Sequence, residues 1–320
     1  MDENYEIFKK LRNYYEKNCA PLIFYGEQIL ENNKSCRMYF LDTTEKKELE
    51  NYKKVFQEYL FLYVRNHDNL FNFDNLNEEY DELKISQALY ANSKKVWDDE
   101  SLVITSNPIT LGIYGELFDE FYLNIVKKEN ILLTYSTKYS FNSRNIKGCD
   151  NIGIILENDN LTLILSECKF YADISGATKS LIEDIIGTDK EKSHITKEYI
   201  NRYLNFVVDK QHSLFSSTED NKKIISILEK INHDILNAQI DITPIDILNK
   251  YNVKIRFDFF SIYNDKYYTP KERKTYYQNI VKAFNEQIKD TGIINYSIEI
   301  IFIPTKNIST EIKRSMYTWN

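Results

Sequence analysis

The feature that most narrows the fold is the stretch from 151 to 170, where "NIGIILE" and "LTLILSECKF" flank the polar "NDN". Runs rich in isoleucine and leucine, bounded by turn-forming residues, read as strands, and so short a connection suits an antiparallel hairpin. The turn, Asn158 to Asn160, is centred near Asp159. The second strand is built to be dry, yet Glu167 and Lys169 interrupt its apolar end. Residues two apart on a strand share a face. Glu167 and Lys169 therefore continue the face of Leu163 and Leu165, and Cys168 points into the core on the other side.

Around this hairpin the chain alternates between helical and strand rhythms. "TSNPIT" (105–110) is a breaker-rich joint, and after it Ile113, Leu117, Phe121 and Ile125 recur at helical spacing. "ILLTYSTKYS" (131–140) is a third strand candidate. Helices follow in "DISGATKSLIEDIIG", ending near Gly187, then in "TKEYINRYLNFVVDK" and "NKKIISILEKINHDILNA". "VKIRFDFFSIY" and "INYSIEIIFIP" are strands around a helix opened by Thr269, Pro270 and Glu272. The first hundred residues carry a helical apolar face at Leu49, Tyr52, Phe56, Tyr59, Leu60 and Tyr63. The predicted fold class is α/β, with a mixed central sheet, flanking helices and a mainly helical N-terminal region. The predicted domains are 1–105, helical, and 106–320, holding the sheet, with a helical insertion at about 190–250.

Composition excludes some functions. The apolar runs fall short of the roughly 18 residues a membrane span needs, and "MDENYEIFKK" has no apolar signal core, so the expected location is the cytoplasm. Cys19, Cys36, Cys149 and Cys168 form no CxxC pair and read as free thiols. His67, His194, His212 and His233 lie far apart and read as surface or hydrogen-bonded residues, not as a zinc site. A net charge of -7 argues against a large autonomous nucleic-acid surface.

Acid-x-lysine triplets recur elsewhere, as in Glu45/Lys47 and Glu272/Lys274, so the pair at 167 and 169 matters for its place. A turn centred near Asp159 sets Asp150 opposite the segment Glu167 to Lys169. Two carboxylates and the Cys168 main-chain carbonyl make a hard oxygen set for Mg²⁺, with Mn²⁺ also suited. A lysine beside such an ion can hold a water or stabilise charge on a phosphate. The residues alone reach metal-dependent phosphodiester cleavage.

"GCD", sixteen intervening residues and "ECK" resemble the D…(D/E)xK signature of the PD-(D/E)XK nuclease superfamily, whose order of one helix, three strands, a helix and a strand is similar to that read above. More narrowly, "KGCDNIGIILENDNLTLILSECKFYADISGA" resembles the HamA nuclease component of Hachiman anti-phage defence systems. The likeness covers about 105–190 and 250–305. It implies a Mg²⁺-dependent deoxyribonuclease restrained by a helicase partner of HamB type, with Asp150, Glu167 and Lys169 as its core. It also implies a metal-site role for Glu116 in "GELFDEFYL", with Asp119 and Glu120 close by as competing acids. Lys138, Arg144, Lys147 and Lys179 are candidate DNA phosphate contacts. The alternatives are a non-catalytic nuclease-fold subunit that binds a helicase or nucleic acid, and a sequence-specific restriction endonuclease.

Overall fold

The computed structural model describes residues 3–19, 22–29, 34–41, 51, 55, 118–119, 121–127, 133–136, 150–157, 159–188, 193–210, 219–237, 242–263 and 270–304. After helix α1 (Glu3–Asn18), strands β1 (Leu22–Ile29), β2 (Ser35–Leu41), β3 (Leu133–Ser136), β4 (Asn151–Glu157), β5 (Asn160–Tyr171), β6 (Lys254–Tyr263) and β7 (Tyr296–Pro304) form one sheet. Its order is β1-β2-β7-β6-β5-β4-β3, parallel from β2 through β5 and antiparallel at both ends. The hairpin read from the sequence is β4–β5, and it hands the sheet over from antiparallel to parallel pairing.

The mixed α/β class is as expected, and the strands at 254–263 and 296–304 lie where their apolar runs placed them. The N-terminal region differs. Its first helix is present, but 22–41 forms two strands of the same sheet, with β2 parallel to β7 from Cys36↔Ile298 to Phe40↔Phe302. The partner strand lies far along the chain, so local periodicity carried little sign of this pairing. The helical face at 49–63 lies almost wholly outside the described residues.

The parallel centre is covered on both sides, as such sheets require. One face packs Ile152, Leu163, Leu165, Phe257, Phe259 and Ile300 under α2 (Ile174–Ile186), α3 (Lys197–Lys210), α4 (Glu219–Leu236), α5 (Pro244–Lys250) and α6 (Pro270–Ile288). The other packs Ile164, Cys168, Phe260, Ile262 and Ile301 against α1 and a π-helical segment, Tyr122–Val126. That segment occupies the region where the 3.6-residue apolar spacing predicted an ordinary helix; all five of its residues are buried. Among the described residues no helix is long and apolar enough to cross a membrane. Cys19, Cys36 and Cys168 are buried free thiols, and Cys149 lies outside the described residues.

A polar seam crosses this second face. The register aligns Arg37, Glu299, Asp258, Ser166 and Asn151 on five adjacent strands. Arg256 donates to both carboxylate oxygens of Asp258 at 2.8–3.1 Å, and Lys127 pairs with Glu299. Asp119 closes the seam at the hairpin: its Oδ2 accepts from Asn151 Nδ2 at 2.9 Å and from the Ser166 hydroxyl. Burial pushes the Asp119 carboxyl well above its usual range, against these two hydrogen bonds. Because its partners are the chain neighbours of Asp150 and Glu167, Asp119 clasps β4 to β5 where those residues stand. Asp119→Ala is expected to cost about 1–3 kcal/mol in urea unfolding, since it strands a buried amide and hydroxyl. Asp119→Asn, which keeps a neutral polar group there, is expected to cost less.

Candidate metal and catalytic site

The strand-to-helix passage after β5 places the site. Asp173 caps α2 by accepting from the Gly176 amide at 2.7 Å, and a side chain at Gly176 would meet the Tyr171 ring at 3.0 Å. Glycine there lets the chain turn tightly off β5, so α2 runs back over the face that carries Glu167 and Lys169. α2 ends at Gly187, whose φ of 82° relieves the helix terminus.

The hairpin loop is one residue shorter than the Asn158–Asn160 turn expected. Glu157 pairs with Asn160 and Asn151 with Ser166, leaving a two-residue loop in which Asp159 takes a φ of 63°. The turn centre therefore lies between 158 and 159, the ladder ends at Asn151 and Ser166, and Asp150, just before it, reaches the Glu167–Lys169 segment with its side chain. Asp150 is fixed from both ends. Its amide donates to the Ser166 carbonyl at 2.9 Å, and its Oδ2 accepts from the Cys168 amide at 2.8 Å. Cys168 itself points into the second core, as the alternation predicted.

Glu167 is only 3% exposed. Its Oε1 accepts from Lys169 Nζ at 2.7 Å, and the same ammonium lies 2.5 Å from Asp184 Oδ2. Its Oε2 lies 3.1 Å from His194 Nδ1. β5 continues to Tyr171, and the end of α2 and the His194 turn pack over the charged pair. Burial, and then the nearby charge of Asp150, push the Glu167 carboxyl up to about 8, against Lys169 and His194. Burial works to lower the Lys169 ammonium, but Glu167, Asp150 and Asp184 outweigh it and hold the lysine well above its usual range. For His194 the same balance holds: burial lowers it, and the hydrogen bond and charge of Glu167 raise it overall.

Asp184 and His194 were not singled out from the sequence. Asp184 follows Ala177 and Leu181 at helical spacing, on the buried stripe of α2, and an acid in such a stripe is the signal that could have found it. His194 is a hydrogen-bonded histidine, as read, but no local pattern names Glu167 as its partner. Glu116, Lys138, Arg144 and Lys147 lie outside the described residues. Lys179 stands on the outer side of α2, its side chain 77% exposed and 3.9 Å from Glu183, and joins none of the site's ion pairs.

The carboxylates of the cluster are candidate ligands for a divalent cation. Lys169 is paired with Glu167 and Asp184, and Asp150 and His194 stand beside the same pair. Oxygen donors of this kind suit hard ions.

Fold and site together define a mixed α/β protein with a buried acid–lysine centre on the second strand of a hairpin. The family model HamA matches residues 17–318, nearly the whole length, and the chain belongs to the HamA family. No curated protein matches it.

Proposed function

We propose that this protein is a divalent-metal-dependent nuclease that hydrolyses DNA phosphodiester bonds, with the PD-(D/E)XK type of core. The observation that most supports it is Glu167 and Lys169 on one face of β5, with Asp150 at the start of β4 accepting through its carboxylate from the Cys168 amide between them. The helix before the strands, the hairpin and α2 after it agree with that core's order.

Asp150 and Glu167 would hold the cation, Mg²⁺ or Mn²⁺, with the Cys168 carbonyl, and Glu116 would complete the shell. When bound, such an ion polarises the scissile phosphate and lowers the pKa of water. Lys169 would donate to the attacking water and to the charge that develops on phosphate, its ammonium aimed by Glu167 and Asp184. The water oxygen bonds to phosphorus as the bond to the leaving sugar oxygen breaks, giving one phosphate end and one hydroxyl end. Lys138, Arg144, Lys147 and Lys179 would contact DNA phosphates.

Membership of the HamA family supports a place in Hachiman anti-phage defence, in the cytoplasm, under restraint by a helicase of HamB type. The net charge of -7 fits delivery of DNA by such a partner. A second reading is favoured by one observation: Lys169 is bound on two sides by carboxylates, as in a purely structural ion-pair network. It makes the chain a non-catalytic subunit that binds a helicase or nucleic acid.

Incubation with supercoiled plasmid, linear DNA and RNA, with Mg²⁺ or EDTA and with or without the helicase, separates these readings. Expected is Mg²⁺-dependent loss of DNA that Asp150→Ala reduces by about 10²-fold or more. Equal degradation by wild type and Asp150→Ala removes Asp150 from the site. No cleavage under any condition supports the non-catalytic subunit, and cutting at discrete sites alone would indicate a restriction endonuclease.

A further inference from the structure

We propose that Asp184 and His194 are themselves cation ligands, and that with Glu167 they make a mixed nitrogen–oxygen site that takes Mn²⁺ in preference to Mg²⁺. This rests on the metal-dependent reading above in sharing Glu167, but it concerns residues outside the Asp-Glu-Lys set.

Three observations carry it. One ligand atom from each of Glu167, Asp184 and His194 falls within 4.8 Å of the other two, so a single ion can reach all three. The arrangement is also built, not incidental. The His194 amide donates to the Asp184 carbonyl at 2.8 Å, and the Ser193 hydroxyl donates to the Ile185 carbonyl while accepting from the Ile195 amide at 3.0 Å. The turn bearing His194 is thus fastened to the end of the helix bearing Asp184. The imidazole stands edge-on to the Tyr199 ring, centroids 5.7 Å apart, which fixes its plane. Finally, Glu167 and Asp184 share the single Lys169 ammonium, so a dication at this point meets carboxylate oxygens already drawn together.

The donor types choose the ion. Mg²⁺ binds oxygen, keeps several waters and demands near-ideal octahedral geometry. Imidazole favours first-row transition ions, and Mn²⁺, which also suits carboxylate oxygen, accepts a set of two carboxylates and one imidazole more readily than Mg²⁺ does. Glu167 accepting from both Lys169 and His194 is then the metal-free arrangement, in which the two cationic or donor groups stand in for the ion.

The test is Mn²⁺ binding to the full-length protein after removal of metal, followed by the loss of the free-ion electron paramagnetic resonance signal, with Mg²⁺ as competitor. Expected is binding of Mn²⁺ about 10-fold or more tighter than of Mg²⁺, with nitrogen-14 modulation from a directly bound imidazole in the pulsed spectrum. His194→Ala is expected to lose that modulation and about 10- to 100-fold in Mn²⁺ affinity, with a smaller change for Mg²⁺; Asp184→Asn is expected to weaken both ions. The wild-type spectrum needs no variant to fold. Bound Mn²⁺ without nitrogen modulation, or no Mn²⁺ binding, overturns the proposal. Nitrogen-bound Mn²⁺ with no cleavage of any substrate would leave this site standing and refute the nuclease; Mg²⁺-dependent cleavage with no nitrogen-bound ion would do the reverse.

Discussion

Glu167→Gln is expected to reduce DNA cleavage by about 10³-fold while leaving the protein folded, because it removes the carboxylate that would hold the cation without changing the shape of the cluster. The same variant has a signature in stability. Glu167 rises from the usual 4.5 to about 8 in the folded protein, chiefly by burial. Between those values the folded protein holds a proton that the unfolded chain releases, so the group's contribution is fully present below the lower value and is lost as pH rises through the upper one. His194, also raised, loses stability in the same direction as it deprotonates. In EDTA the wild-type Tm is therefore expected to fall relative to Glu167→Gln as pH goes from about 5 to about 8.5. Thermal melts of both proteins across that range check it, and parallel curves would show that Glu167 is charged throughout.

Lys169→Met is expected to lose about 10²- to 10³-fold in cleavage and, unlike Glu167→Gln, about 3 kcal/mol of stability. The methionine fills the volume of the stem but leaves Glu167 and Asp184, 2.7 and 2.5 Å from the missing ammonium, facing each other without it. Half-buried at 19% side-chain exposure, Lys169 cannot be replaced there by bulk water. The double variant Lys169→Met/Glu167→Gln separates the two effects. Removing the facing charge should restore most of the stability and none of the cleavage, a coupling that a urea-unfolding cycle measures directly. Additive stability losses would mean that the ion pair contributes nothing beyond its separate members.

The two variants draw on different properties of one strand. β5 is rigid because it pairs with β4 on one side and β6 on the other, so a carboxylate and an ammonium can be held at fixed positions where water is scarce. The seam behind it serves the same end. Asp119 grips Asn151 and Ser166, one residue from Asp150 and Glu167, so the geometry of the site depends on a side chain on the opposite face.

Local pattern determined much of this protein. Two apolar runs around a polar break fixed the β4–β5 hairpin, alternation set Glu167 and Lys169 on one face with Cys168 on the other, and helical spacing ending near Gly187 marked α2. Each depends on residues a few positions apart, where the period of strand or helix decides which side chains are neighbours. Even there the loop was read one residue too long, because a turn's length depends on whether Asp159 adopts positive φ, which its identity permits but does not require. Tertiary structure alone decided the rest. β1 and β2 became strands by joining β7 across the length of the chain, and the polar seam needed five strands in register before Arg37, Glu299, Asp258, Ser166 and Asn151 became one row. Asp184 and His194 met Glu167 only because α2 folds back over β5 and a hydrogen-bonded turn returns the chain to the same point. Sequence spacing sets neighbours within an element; contacts between elements follow from packing two faces of one sheet, and the full set of groups around Glu167 is of that second kind.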